Sequence, residues 1–475
     1  MSKKKRELGV DKYGIQKTMR FVDYLGDGCG QGGVNLIMAL SGQVSYFYTE
    51  KVGVAAATVS LVLIITKIID AFTDLPMGRI IDKSTNPKGK CRPWFLRMAL
   101  PFFIAVTLLF TVPRGVSATM QMIYLLATNI LLSALVFTAF SVPYSALPVL
   151  RTESPEERSM IQVTRNIVSY LFGAIASMTV IPVTNILGGT QSAWIKYGVV
   201  VGAAGGLLLL ICYKTTRETA QPVKEAAQTE ETVEEKEKDV PFMQGVKMLF
   251  KNKYWVFAML TMLLYQVGYG LAGASGTYYA KYIYGNDNLV AVGSGIGMIG
   301  MVGGFVLAGP IVKKFGLTGS IRLVTVVDVV KLGVMLLMPK AFWLNTALAA
   351  IGSLPSIAGI AACGVMVNNC VEYNEHLYGV KLVGMTNSVV GFANKVGSGA
   401  GAALVTLMLA VSGYVAGAAI QASSVTYGIY AFAIYIPLAI VIVKFIFSEL
   451  YRPYEKIYVD IVSKKAAENQ VAEEA

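Results

Sequence analysis

The sequence predicts an all-α, polytopic membrane protein with twelve transmembrane helices in two halves of six. Hydrophobic residues make up 55% of the 475-residue chain and charged residues only 15%, and the mean hydropathy is +0.57. Apolar stretches of roughly 20 residues, the length that crosses a bilayer, recur along nearly the whole chain. One long charged segment, residues 215–241, separates these stretches into two sets.

The spans are predicted to be helices because a backbone in lipid must satisfy its own hydrogen bonds. The 47 glycines fit close packing of such helices, and the run GSGIGMIGMVGG at 293–304 is interpreted in this way. The predicted span centres lie near residues 35, 62, 102, 130, 170, 202, 264, 298, 328, 356, 397 and 436. The predicted organisation is a tail (1–20), a six-helix bundle (21–213), a charged linker (214–251), a second six-helix bundle (252–447) and a tail (448–475).

Charge and motif content exclude several function classes. The net charge of +12 is spread over short loops and the chain ends, which predicts a lipid-embedded protein with cytoplasmic termini and not a nucleic-acid binder. Five scattered cysteines lack metal-site spacing and are interpreted as packing residues. No GxxxxGK[ST] loop is present, so the chain is predicted to be neither an ATPase nor another enzyme and to need no cofactor.

Two aspartates in the second span form the main candidate site. Asp70 and Asp74 are one helical turn apart, so both carboxylates are expected on one helix face. Charges at membrane depth are costly, and two acids together require a cation, a proton or a basic partner. The alternative is a purely structural ion pair with Lys67 or Lys395.

A short repeat supports the division into halves. GRIIDKSTNPKGK after the second span has a shorter counterpart, GPIVKKFG at 309–316, after the eighth. In each, basic residues follow a helix-ending glycine and precede a glycine in a predicted tight turn. Repeated halves are a feature of many secondary transporters, which hold their substrate near the midplane.

Five motifs resemble the glycoside-pentoside-hexuronide:cation symporter family of the major facilitator superfamily, in its melibiose permease type. They are YFYTEKVG (46–53), KIIDAFTDLPMGRIIDKSTNPKGKCRPW (67–94), SVPYSALP (141–148), VEYNEHLYGVKLVGM (371–385) and NKVGSGAGAALVTLMLAVSGY (394–414). The resemblance covers most of the chain and implies the major facilitator fold and solute transport coupled to a cation.

The resemblance implies a coupling-cation site made of Asp70, Asp74, Thr73, Thr138 and Lys395. Oxygen ligands suit Na⁺ or Li⁺, whereas a desolvated carboxyl suits H⁺. Thr73 stands where the family's type member has an asparagine that helps to hold the cation, so the choice between Na⁺ and H⁺ stays open. No metal other than Na⁺ is expected.

The implied solute site departs more from the family. Arg165 matches an arginine near the sugar site, with an arginine that extends to the membrane surface as the alternative. The family's sugar-binding acids and tryptophan are replaced by Val34 or Asn35, Ser141 and Ser145. The candidate solute residues are therefore Arg165, Asn35, Gln31, Ser141, Tyr144 and Ser145.

The loop after the second span resembles a conformational latch of the superfamily. Basic residues there also favour the cytoplasmic side, so a role in topology alone is the alternative. The candidate gate and loop residues are Gly78, Asp82, Lys83, Gly89, Arg92, Glu372 and Lys381. His376, in the later loop, is predicted to be solvated.

The predicted function is symport of a glycoside or related small polar solute with Na⁺ or H⁺ by alternating access. The alternative is transport of a non-sugar ligand, such as a lysolipid or other amphiphile, on the same scaffold. The chain is expected to act as a monomer in the bacterial cytoplasmic membrane. Neither the solute, the ion nor their stoichiometry follows from the sequence.

Overall fold

The protein, represented by a computed structural model, is described over residues 8–12, 14–84, 86–218, 242–380, 382–416, 418 and 421–474. Up to the charged segment the helices are α1 Phe21–Tyr46, α2 Ala56–Asp82, α3 Arg92–Phe110, α4 Ala118–Asn129, α5 Thr138–Arg151, α6 Pro155–Ile186 and α7 Gln191–Thr215. After it come α8 Phe242–Lys251, α9 Lys253–Tyr282, α10 Leu289–Leu337, α11 Phe342–Tyr378, α12 Val383–Val411, α13 Ser423–Tyr430 and α14 Ile436–Glu474. The predicted all-α class is confirmed.

Three π-helical segments extend or join these helices. Phe47–Val52 continues α1, Ile130–Phe137 joins α4 to α5, and Ala431–Tyr435 joins α13 to α14. Within the described ranges, ten helices or joined helices are long and apolar enough to cross a membrane. The chain is thus an integral, multi-pass membrane protein.

The helices account for all twelve predicted spans. Besides the ten apolar helices, α1 supplies the first span, although it carries Asp23 and Asp27. The 49-residue α10 supplies two, because Gly316 (φ 75°, ψ −174°) interrupts its helical backbone. Gly89 also has a positive φ, 112°. The two tight turns that the sequence repeat predicts at these glycines are therefore confirmed.

The chain divides into two compact units, Met1–Ala227 with Val415–Ile420, and Gln228–Tyr414 with Gln421–Ala475. In the first unit, α1 packs on α6 and α7, α3 on α7, and α2 on α4 and α5. In the second unit, α10 packs on α11, α9 on α12, and α14 on both α9 and α10.

Glycines permit the close helix contacts in both units. A Cβ at Gly26 would lie 2.1 Å from Thr215 Oγ1 on α7, and one at Gly30 would lie 2.5 Å from the Tyr144 ring. A Cβ at Gly300 would lie 2.1 Å from the Ala350 carbonyl oxygen, so the 293–304 run does pack on α11. The packing role predicted for these small residues is confirmed.

Candidate functional site

Asp70 is a buried carboxylate in the middle of α2. It lies 14 residues after Ala56, about 21 Å along the helix at 1.5 Å per residue. It is only 1% exposed. Burial of this kind places an acid where water does not solvate it, so its charge must be balanced by nearby groups.

Two threonine hydroxyls lie near the backbone of Asp70. Thr73 Oγ1 donates to the Asp70 carbonyl oxygen at 2.9 Å, and lies 3.3 Å from Thr138 Oγ1 on α5. A hydroxyl keeps acceptor lone pairs when it donates its one proton, so both threonines retain oxygen ligands for a cation. Three of the predicted cation-site residues are thus joined across α2 and α5.

Lys67 contacts the same carboxylate. Its Nζ lies 3.5 Å from Asp70 Oδ2, one helical turn away on α2. The structural ion pair considered from the sequence is therefore present, although at a long distance. The backbone of Asp74 continues α2, but its side chain lies outside the described part of the chain.

Arg165, the predicted solute-site arginine, is engaged by an acid that the sequence analysis did not select. Arg165 is 4% exposed, so it does not extend to the membrane surface. Its Nε donates to Asp27 Oδ2 at 2.6 Å, and its Nη2 donates to Oδ1 at 3.2 Å. This is the bidentate geometry that a guanidinium offers to a carboxylate.

Asp27 binds a second arginine as well. Arg151 Nη1, at the end of α5, donates to Asp27 Oδ1 at 2.9 Å, and Asp27 is fully buried. One carboxylate thus faces two guanidinium groups. Because the three residues come from α1, α5 and α6, the cluster also ties these helices together.

Tyr144 completes this network. Its hydroxyl donates to the Asp27 carbonyl oxygen at 2.8 Å and accepts the Gln31 N–H at 3.1 Å. The Arg165 guanidinium carbon lies 3.7 Å from the Tyr144 ring centre, a cation–π arrangement. Two predicted solute-site residues, Arg165 and Tyr144, therefore lie together and both contact Asp27, and the backbone of a third, Gln31, contacts the Tyr144 hydroxyl.

The remaining predicted solute residues have mixed positions. Asn35 Nδ2 donates to Ser169 Oγ, which links α1 to α6. Ser141 is half-buried, whereas Ser145 is exposed and its hydroxyl donates to the Val142 carbonyl oxygen at 2.7 Å. Among the described residues, no hydrogen bond links Ser145 to the Arg165 cluster.

Three further candidates, Lys395, Glu372 and Lys381, follow the charged segment in the sequence. Lys395 is half-buried on α12, and Glu372 is half-buried near the end of α11. His376 is exposed, as predicted, but it lies in the last turn of α11 and not in a loop. Lys381 lies outside the described residues.

The loop between α2 and α3 docks on the end of α7. The Glu218 carboxylate accepts backbone N–H groups of Lys90, Cys91 and Arg92 at 2.7, 2.9 and 2.7 Å. A Cβ at Gly89 would lie 2.5 Å from this carboxylate, so glycine is needed for the approach. An acid at the start of α3 satisfies helix N–H groups that otherwise have no partner.

Arg92 strengthens the same contact. Its Nε donates to the Tyr213 carbonyl oxygen at 2.9 Å, and its guanidinium carbon lies 4.6 Å from the Tyr213 ring centre. Lys83 is exposed, and Gly78 has open space around it. The Asp82 side chain lies outside the described part of the chain. Gly89 and Arg92 are thus the predicted loop residues that hold the loop in place.

Replacing Glu218 by Gln is expected to destabilise the first unit by about 1–2 kcal/mol, because the amide lacks the charge that three N–H groups share. Thermal unfolding of the purified protein in detergent measures this loss. The matched control is Arg217→Gln, an exposed neighbour whose replacement removes a charge outside the loop contact. Equal melting temperatures for the two variants would show that Glu218 does not secure the loop.

Comparison with known proteins agrees with this architecture. The family described as "MFS/sugar transport protein" matches residues 26–452. The isoprimeverose transporter of Lactiplantibacillus pentosus is 25% identical over 93% of this chain and 91% of its own length. The uncharacterized symporter YnaJ of Bacillus subtilis (strain 168) is 27% identical over 94% of this chain and 95% of its own.

A solved structure shows the same fold at low sequence identity. It is the inward-facing, unoccupied form of a bacterial homologue of the human lysosomal transporter Spinster. The match has a TM-score of 0.60 and 13% identity, and it covers 93% of this chain and 97% of the other. At this identity the likeness establishes the fold and nothing further.

Proposed function

Since this chain belongs to the MFS/sugar transport protein family of membrane transporters, and is therefore not an enzyme, we propose that it is a cation-coupled symporter of a glycoside or a related small polar solute. The name of the relative that carries isoprimeverose supports a sugar-class solute, and the name symporter of the second relative supports coupling. The proposed location of the protein is the bacterial cytoplasmic membrane, with both termini in the cytoplasm.

The buried Asp70 carboxylate carries the proposal of ion coupling. It lies midway along α2, and the Thr73 hydroxyl, which contacts the Asp70 backbone carbonyl, reaches the Thr138 hydroxyl on α5. Carboxylate and hydroxyl oxygens are the ligand types that suit a hard monovalent cation such as Na⁺. In the proposed cycle the incoming ion replaces Lys67, whose 3.5 Å contact with Asp70 is long for a buried ion pair. Asp74 and Lys395 remain proposed members of this site.

The cluster around Arg165 supports the proposed solute site. Asp27 and Tyr144 hold the guanidinium in one orientation, so its free donor groups need no reordering when a solute arrives. Guanidinium N–H groups bind hydroxyls and carboxylates. The Arg165 guanidinium would suit a solute that carries an acidic group, such as a glycoside uronate. Asn35, Ser141 and Ser145 are proposed as weaker polar contacts.

Coupling requires that the two sites act on one equilibrium. Ion binding at Asp70 raises the affinity for solute, and by reciprocity the solute raises the ion affinity by the same factor. Alternating access then moves both across the membrane. The proposed functional unit is one chain. The 83–92 loop, docked on Glu218, is proposed as the latch that opens and closes in this cycle.

A thermal-shift screen tests the ligand class. The purified protein is heated with a panel of sugars, glycosides, uronates and lysolipids, each with and without Na⁺. A ligand that binds only the native state raises the melting temperature, by an amount corresponding to about 2.7 kcal/mol at one hundred times its Kd. We expect a glycoside or uronate to stabilise the protein, and Na⁺ to enlarge the shift.

Two results of this screen would redirect the proposal. Stabilisation by lysolipids and by no sugar would favour an amphiphile carrier on the same scaffold. Equal shifts with and without Na⁺, at every pH between 5 and 8, would remove Na⁺ as the coupling ion.

A further inference from the structure

A second cluster of charged side chains lies inside the second unit, and none of its members was selected from the sequence. Lys331 Nζ donates to Asp328 Oδ1 at 2.6 Å, one turn apart on α10. Lys444 Nζ, on α14, lies 3.9 Å from Asp328 Oδ2. One carboxylate therefore faces two lysines.

The cluster is buried well within the helices. Lys444 is 4% exposed and Asp328 is 9% exposed. Asp328 follows the break at Gly316 by 12 residues, about 18 Å along α10. The Arg322–Glu449 ion pair, on the same two helices, lies about 9 Å from that break and is more exposed. Among the described residues, both the cluster and the Arg322–Glu449 pair join α10 to α14, and the cluster lies farther from the break at Gly316.

Lys444 has few partners for a buried ammonium. Among the described residues it makes no hydrogen bond, and its 3.9 Å distance to Asp328 is too long for one. It lies 3.9 Å from the centre of the Tyr265 ring on α9. The Tyr265 hydroxyl is itself buried without a partner among the described residues. Cys363 on α11 also faces Lys444.

The forces on the Lys444 proton therefore oppose each other. The Asp328 carboxylate and the Tyr265 ring face favour the ammonium. Burial and the nearby Lys331 ammonium, which already pairs with Asp328, disfavour it. When the cluster loses one proton, one ammonium faces one carboxylate and the charges balance. Because the cluster is almost completely buried, loss of a proton is favoured over entry of a hydrated anion.

We propose that Asp328, Lys331 and Lys444 form a proton-exchange site in the second unit, separate from the coupling-ion site at Asp70. In the exchange Lys444 gives up one N–H proton to water, keeps its nitrogen lone pair, and leaves the Asp328–Lys331 pair as the charged partners. Lys331, whose side chain is 28% exposed, is the most accessible member of the cluster. The site makes the chain responsive to pH whichever ion binds at Asp70.

Thermal unfolding of the full-length protein in detergent, from pH 6 to pH 9, tests this proposal without any transport assay. The variants are Lys444→Met, Lys331→Met and, as the control, Lys340→Met, which removes an exposed lysine of the same unit. In the unfolded chain both cluster lysines carry protons throughout this range. A native state with one proton fewer becomes more stable as the pH rises.

We expect the melting temperature of the wild-type protein to rise with pH relative to that of Lys444→Met, by about 3 °C per pH unit once the proton is lost. Lys331→Met should behave like Lys444→Met, because each leaves one ammonium for one carboxylate. Lys340→Met should follow the wild-type protein. Parallel pH profiles for wild type and both cluster variants would overturn the proposal.

Failure of both cluster variants to fold would overturn it as well, since one lysine would then not suffice to pair Asp328. Absence of glycoside transport would leave this test unaffected. A failure of the proposed function and a failure of the proton site are therefore distinguishable.

Discussion

Replacing Asp70 by Asn is expected to abolish ion-driven accumulation of solute, with a loss of at least about tenfold. The amide cannot balance a cation in a site that is almost fully buried. Exchange of labelled for unlabelled solute, which needs no net ion movement, should persist. The measurement is uptake into proteoliposomes with an imposed ion gradient, beside counterflow with no gradient. Asp74→Asn is expected to have the same effect.

Lys67→Met is the matched control for Asp70→Asn. It removes the ion pair seen at 3.5 Å but leaves the carboxylate, so accumulation should continue. If Asp70 served only as a structural partner of Lys67, the two variants would behave alike. Unchanged accumulation in Asp70→Asn would show that the ion binds elsewhere.

Replacing Asp27 by Asn is expected to cost about 3–5 kcal/mol of stability, because two buried guanidinium groups lose the carboxylate that both of them bind. The folded yield in detergent should fall sharply, together with the melting temperature. Arg151→Gln should cost less, since Asp27 and Arg165 would remain as a bidentate pair.

Asp23→Asn is the control for Asp27. Asp23 lies one turn earlier on α1 and is half-buried, and its Oδ2 accepts the Arg20 N–H at 2.9 Å. Its replacement should have a small effect, in the range of a helix-terminal charge, about 0.3–1 kcal/mol. A similar loss in Asp23→Asn and Asp27→Asn would mean that the arginine cluster contributes little to the fold.

The fold was predictable from the sequence because membrane helices are specified by local composition. Every predicted span centre falls in a helix, and the glycine turns at Gly89 and Gly316 have the positive φ expected of them. The two spans within α10 were also predictable, since the helical backbone breaks at Gly316, shortly after the basic pair Lys313 and Lys314. The predicted domain boundaries remain predictions.

The candidate site was only partly predictable. Asp70 and Thr73 lie on one α2 turn, so their proximity follows from helical spacing, but Thr138 joins them through packing of α5 on α2. Asp27 was missed because its partners, Arg151 and Arg165, are more than 120 residues away in sequence. A charged residue inside an apolar span was the available signal, and Asp328 and Lys444 carried the same signal in the second half.

Glu218 shows a different limit. It lies at the start of the charged segment, where the composition predicts solvent-exposed chain, yet its carboxylate binds three N–H groups at the start of α3. Such contacts depend on the backbone of a distant loop and leave no periodic pattern in the sequence.

The accumulation ratio of the stabilising glycoside in wild-type proteoliposomes tests the central claim most directly. Solute inside and outside is measured with an inward Na⁺ gradient, with an inward H⁺ gradient, and with neither. We predict accumulation above the external concentration under one of the two gradients and equal concentrations without a gradient. Equal concentrations under all three conditions, with counterflow intact, would contradict cation-coupled symport.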